Sequence, residues 1–165
     1  MYPIDNLPLA AICQIGTIHA EWRLESTALW PVPQASKGSM KILVVEDDKE
    51  SRDLLCEVLS GSDYAVNAVE NVADARRELR TNANYGIVIA DLRMPDGTGL
   101  ELLRDLDKRA SKPAVILISS FMSGLERKAA LELGAGALLE KPFRFGDLLQ
   151  AVANLAAPDP VGMVS

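Results

Sequence analysis

Cysteine is scarce in this chain of 165 residues: only Cys13 and Cys56 occur, far apart and outside any CxxC pair. One disulfide between them stays open, but no framework is suggested, and the reading is a reduced, cytoplasmic chain. Long hydrophobic runs are also missing, since no apolar stretch reaches the roughly 18 residues that a membrane span needs. No membrane association is therefore expected. Leu7 to Ile18 is mildly apolar, but Asp5 is the only charge before it, so the basic region of a signal peptide is absent. Leu9-Ala10-Ala11-Ile12-Cys13 faintly imitates a lipoprotein cleavage box, with Ile12 too bulky before the cysteine. Basic charge is in deficit as well. Lys and Arg total 17 against 23 Asp and Glu, a formal net charge of -6. Readers of a phosphate backbone carry basic footprints, so direct nucleic-acid binding is not expected. An acidic balance suits divalent cations or basic partner surfaces.

What is present fits one globular domain plus extra sequence, with 48% hydrophobic and 24% charged residues. The composition shifts near residue 40. Residues 1–39 hold Trp22, Trp30, the single histidine His19, and Pro3, Pro8, Pro31 and Pro33, without a sustained period. They read as an N-terminal arm or linker expected to be poorly ordered, and Pro31 to Ser39 has linker composition. Three origins compete for them: a native arm, an upstream start wrongly assigned, or vector-derived sequence, since Gly38-Ser39-Met40 looks like a cloning scar. Residues 40–157 form the patterned domain, and 158–165 a short tail opened by Pro158 and Pro160.

From Lys41 onward a strand–helix alternation repeats five times. Ile42-Leu43-Val44-Val45 is a continuous apolar run, as in a central strand buried on both faces. A helix carrying Leu54, Leu55, Val58 and Leu59 follows, with Gly61 as a favoured C-cap residue. Tyr64 to Val69 alternates as an edge strand would, and Asn71 caps a helix carrying Val72, Ala75 and Leu79. Tyr85 to Ala90 is the third strand, and Leu100, Leu102, Leu103 and Leu106 mark the third helix. Ala114 to Ile118 is the fourth strand, Ser123 to Leu133 the fourth helix, Ala137-Leu138-Leu139 the fifth strand, and Asp147 to Leu155 lies in the last helix. Strict alternation predicts an α/β fold, a doubly wound parallel sheet with helices on both faces. Function in such sheets gathers where strands end at their carboxyl edge.

The strand ends carry chemistry. Glu46, Asp47 and Asp48 follow the first strand, Asp91 the third, Ser119 and Ser120 the fourth, and Glu140, Lys141 and Pro142 the fifth. Carboxylates about 5 Å apart repel by roughly 3 kcal/mol at an effective dielectric near ~20. A proton or a cation relieves that. Glu46, Asp47 and Asp91, helped by a backbone carbonyl, could supply the oxygen donors that Mg²⁺ prefers. Lys141 offers a point charge, and Ser119 a hydroxyl, to an anion on Asp91. A carboxylate nucleophile with a metal and a lysine favours phosphoryl transfer. Each residue alone has a plainer role: Asp48 as the cap of the first helix, Asp96-Gly97 as turn chemistry, Lys141 as a solvated charge. Their coincidence on the correct strand ends favours the chemical reading.

From Lys41 to Ala156 the sequence resembles the receiver domain of bacterial two-component response regulators. Four motifs carry the resemblance in order: Val44-Val45-Glu46-Asp47, Asp91-Leu92-Arg93-Met94-Pro95, Ile118-Ser119-Ser120 and Lys141-Pro142-Phe143. It implies a flavodoxin-like (βα)5 fold with strand order 2-1-3-4-5. It also implies Asp91 as the phospho-accepting aspartate, and Mg²⁺ held by Glu46, Asp47, Asp91 and the carbonyl of Arg93. Ser119 takes the hydroxyl position, Lys141 pairs with the phosphoryl group, and the Lys141–Pro142 bond is a candidate for the cis isomer. The expected partners are a sensor histidine kinase or histidine phosphotransfer protein, and a downstream protein met through the fourth helix, fifth strand and fifth helix. A homodimer stays open. His19 is not the expected donor. Many receivers place an aromatic residue three positions before the lysine; here it is Leu138. The resemblance makes the chain a signalling switch rather than an enzyme.

About ten residues follow the last helix, too few for an output domain, so a stand-alone or excised receiver is expected. Two rivals are a non-phosphorylated pseudo-receiver and an aspartate-nucleophile phosphatase. The phosphatase needs a second aspartate where Arg93 stands. A flavodoxin-like flavin site lacks its Ser/Thr/Gly-rich phosphate loop, and Glu46-Asp47-Asp48 there would repel a phosphate.

Overall fold

The computed structural model describes residues 40–109 and 112–157, so the expectations for residues 1–39 and 158–165 lie outside the described residues. In chain order the strands are β1 (Lys41–Val45), β2 (Ala65–Val69), β3 (Tyr85–Asp91), β4 (Arg93–Met94), β5 (Gly97–Thr98), β6 (Ala114–Ser119) and β7 (Ala137–Glu140). The helices are α1 (Lys49–Ser60), α2 (Val72–Thr81), α3 (Gly99–Asp107), α4 (Gly124–Glu132) and α5 (Phe145–Ala156). Five strands form one parallel sheet in the order β2-β1-β3-β6-β7. This is the expected 2-1-3-4-5 order once the small antiparallel β4–β5 hairpin is set aside.

The period-two alternation of each strand divides the core into two layers. Ile42, Val44, Ile87, Ile89, Ile116 and Ile118 face α1 and α5, meeting Leu55, Leu59, Leu148 and Val152. Leu43, Val45, Val88, Ala90, Val115 and Leu117 face α2, α3 and α4. The central strands are apolar on both sides because helices cover both sides. Asp91 lies opposite Ile118, and Ser119 opposite Glu140, so the carboxyl ends of β3, β6 and β7 finish on one edge. Among the described residues, no helix is long and apolar enough to cross a membrane.

Caps start the helices as expected. The Asp48 carboxylate accepts the Ser51 N–H at 2.8 Å, and the Asn71 side chain accepts the Asp74 N–H at 2.7 Å. Two details differ from expectation. Leu54 is not a core residue; it is 45% exposed, because α1 turns only Leu55 and Leu59 fully inward. Gly61 closes α1 with a right-handed φ of −62°, and the left-handed turn falls instead on Asp63, with φ of 66°.

Asp96 does more than turn the chain. Its carboxylate accepts the N–H groups of Val72 at 3.0 Å and Ala73 at 2.9 Å, two orphan donors of the first turn of α2. Desolvation pushes this carboxyl up, but those N–H bonds outweigh it and hold it below its ordinary value. The β4–β5 hairpin is thereby tied to α2. Replacing Asp96 with alanine should lower stability by about 1 kcal/mol in urea denaturation. A group with a depressed folded pKa stabilises above its unfolded pKa. The difference between wild type and variant should therefore shrink as pH falls below 3.8, the ordinary value, through the folded pKa.

Candidate functional site

The acidic edge begins where β1 ends. The Glu46 N–H donates to the Val69 carbonyl at 3.2 Å, which carries Glu46 one residue beyond the strand, with its side chain buried. Arg52, on the first turn of α1, donates to the carbonyls of Glu46 at 2.7 Å and Asp47 at 3.1 Å. The loop is pinned from below, and Asp47 is left exposed beside the buried Glu46. Just past β3, the Leu92 N–H donates to the Ile118 carbonyl at 2.7 Å, and the Gly99 N–H donates to the Leu92 carbonyl at 3.1 Å. Gly99 must be glycine here, since a Cβ would stand 2.7 Å from the Asp91 carbonyl oxygen and 2.8 Å from Leu117 Cδ2.

This scaffold brings three carboxylates together. One oxygen each from Glu46, Asp47 and Asp91 lies within 4.8 Å of the others. Lys141 Nζ donates to Glu46 Oε2 at 2.8 Å and to Asp91 Oδ2 at 2.8 Å. The other Asp91 oxygen, Oδ1, accepts the Arg93 N–H at 2.9 Å. The Lys141 N–H donates to the Ser119 carbonyl at 2.7 Å, which seats the residue at this edge. Its bond to Pro142 is cis. Burial pushes Glu46 up, and the hydrogen bond and charge of Lys141 only partly offset it. Burial would push the Lys141 ammonium down, but the bonds and charges of Asp91 and Glu46 outweigh it and raise it. One ammonium against three carboxylates leaves a surplus of negative charge. A hard cation taking oxygen donors fits that set; soft ligands are absent from it.

Ser119 and Arg93 sit at this edge but face elsewhere. Ser119 is buried; its hydroxyl donates to the Phe121 carbonyl at 2.6 Å and accepts the Phe121 N–H at 3.2 Å. Arg93 touches Asp91 through its backbone only. Its guanidinium pairs with Glu126 Oε1 on α4 at 2.9 Å, so the charge partner of Asp91 is Lys141. Leu138 is half-buried against the core of the α2–α4 layer. Arg52, Gly99 and Glu126 escaped sequence reasoning. Only Glu126 left a signal there, as the last residue of the capping-box pattern Ser123-x-x-Glu126.

The response regulator receiver domain model matches residues 42–153, most of the chain. The chain belongs to the response regulator receiver family. Among curated proteins, this receiver domain is 34% identical over 116 residues to the probable transcriptional regulatory protein SilR of Salmonella typhimurium, covering 70% of this chain and 50% of that one. It is 33% identical over 117 residues to the transcriptional regulatory protein CusR of Escherichia coli K12, covering 70% and 51%. It thus spans about half the length of these relatives. Among solved structures, the non-phosphorylated HemR receiver domain from Leptospira biflexa superposes with a TM-score of 0.68 at 28% identity, over 75% of this chain and 99% of that one. The BeF3-activated DrrB receiver domain gives 0.63 at 27% identity, over 70% and 96%. Response regulators are signalling proteins. That relatives are named transcriptional regulators lends no support to the expectation that nucleic acid is not a partner.

Two outcomes follow for this receiver domain. Lys141→Met leaves buried Glu46 without its cation and should cost about 2 kcal/mol of stability at neutral pH. A carboxyl with a raised folded pKa favours the fold most when protonated. The deficit should therefore shrink as pH falls through the raised Glu46 value toward 4.5, measured by denaturation at several pH values. Gly99→Ala should cost roughly 1–3 kcal/mol through overpacking and shift the amide resonance of Arg93, which reads the position of Asp91.

Proposed function

We propose that this receiver domain is a phospho-accepting switch in which Asp91 takes a phosphoryl group from a histidine kinase, a histidine phosphotransfer protein or a small phosphodonor. The observation that carries this reading is the Asp91 carboxylate, held on one oxygen by the Arg93 N–H at 2.9 Å and on the other by Lys141 at 2.8 Å, beside Glu46 and Asp47. An Asp91 oxygen attacks phosphorus, the bond to the donor nitrogen or oxygen breaks with its electron pair, and an acyl phosphate forms. Mg²⁺, when held by Glu46, Asp47, Asp91 and the Arg93 carbonyl, supplies charge neutralisation for the phosphoryl oxygens and the acidic pocket. Lys141 orients Asp91 before transfer and pairs with the phosphoryl group afterwards. Ser119 leaves Phe121 and donates its hydroxyl to a phosphoryl oxygen.

The new charge biases a two-state equilibrium that already exists. A shift from mostly inactive to mostly active needs roughly 3 to 5 kcal/mol of differential stabilisation. The readout face is α4, β7 and α5, and the partner there is a downstream protein or a second copy. Water attack on the acyl phosphate resets the switch. The reaction belongs to the domain's own modification rather than to turnover of a substrate. We assign it to the cytoplasm, where kinase and phosphodonor chemistry is found.

Incubation with acetyl phosphate and Mg²⁺ tests the reading. One labile phosphoryl adduct should appear on Asp91, disappear in Asp91→Asn and fail to form with a chelator. An adduct on another residue, or none with an active kinase, would defeat the assignment.

A further inference from the structure

α4 is fastened differently from its neighbours. α3 buries Gly99, Leu102, Leu103 and Leu106, whereas α4 fully buries only Ala130. Leu125 is 82% exposed and Leu131 59%. With little apolar anchoring, the helix depends more on polar ties, and weakly packed elements are the ones that open first. Two ion pairs hold it to the strand edge: Arg93 to Glu126 at 2.9 Å, and Arg127 to Glu140 at 3.3 Å.

Arg93 is the unusual member. Its N–H binds Asp91 Oδ1, and its guanidinium binds Glu126 Oε1. One residue thus touches the acceptor with its backbone and α4 with its side chain. Glu126 divides its duties by oxygen. Oε2 accepts the Ser123 N–H at 2.8 Å and the Ser123 hydroxyl at 2.6 Å, completing the capping box, while Oε1 serves Arg93. The tie to Arg93 can therefore break while the cap stays whole. An exposed pair of this kind is weak, and a guanidinium exchanges a single carboxylate for a phosphoryl group readily, because its planar fork suits phosphate oxygens and the charge there is larger.

We propose that the Arg93 guanidinium straps α4 to the mouth of the acidic pocket through Glu126, and that a phosphoryl group on Asp91 draws it off and unties the helix. Arg93 is a positioning residue in this scheme. The inference rests on Asp91 being the acceptor. It supplies a route from Asp91 to α4 that needs no aromatic ring at position 138, where this chain has leucine.

The test uses the full chain with Mg²⁺ and beryllofluoride. A bound-fluoride ¹⁹F resonance absent in Asp91→Asn reports the adduct, and amide hydrogen exchange over Gly124 to Lys128 reports the strap. In wild type the adduct should speed exchange there severalfold. Arg93→Ala and Glu126→Gln should show the faster exchange without adduct and gain nothing from it; glutamine keeps the capping box. Arg93→Lys should restore part of the protection. If the Asp91-dependent resonance appears while α4 exchange stays unchanged, or if both variants respond to the adduct as wild type does, the strap is refuted and the acceptor reading stands. If no such resonance forms, the acceptor reading fails and the strap's release fails with it.

Discussion

The ammonium of Lys141, shared between Glu46 and Asp91 at 2.8 Å from each, is the contact on which the functional edge depends. It joins residues 95 and 50 positions apart in sequence. Without it the first and third strands would end in carboxylates facing each other across a largely buried space. Such repulsion is tolerable only if a cation stands between them or a proton is taken up. The lysine does part of that work permanently, and the remaining surplus of negative charge leaves room for a second, exchangeable cation. The backbone seats the lysine there, through the parallel register of β6 with β7 and the Lys141 N–H on Ser119.

The fold was largely legible because its periodicities were clean. Short apolar runs such as Ile42 to Val45 and Ala114 to Ile118 suit strands buried on both faces, and the spacing between consecutive runs fits one crossover helix each. The strand ends are then legible by position alone, which is why the sequence groups Glu46, Asp47, Asp91 and Lys141. Ser119 and Arg93 were legible as members of that edge but not in orientation. A hydroxyl can rotate, and a guanidinium can reach in several directions. Sequence spacing does not encode which partner lies nearest, so the pairing of Arg93 with Glu126 emerged only in three dimensions. Gly99 was hidden for a related reason: its value lies in the Cβ it lacks, seen only against the Asp91 carbonyl. Asp96 shows in sequence only its turn chemistry, because the helix terminus it serves begins 24 positions earlier.

The two helical layers are unequal in a way that suits a signalling element. α1 and α5 pack on isoleucines and a valine and form a firm back wall. On the other layer α2 is doubly capped, by Asn71 and by Asp96, and α3 buries a row of leucines. α4 alone combines thin burial with an intact capping box and exposed leucines. A helix that is well formed but lightly attached can change its docking without melting.

Ser119 carries a consequence of its own. Its hydroxyl already donates to the Phe121 carbonyl and accepts the Phe121 N–H. Under the phospho-acceptor reading, donation toward Asp91 must first give up the bond to the Phe121 carbonyl, so the loop after β6 competes with a phosphoryl group for the one hydroxyl proton. On that reading, the threshold for recruiting Ser119 is set by the loop at Phe121, two residues on, as well as by the acidic pocket.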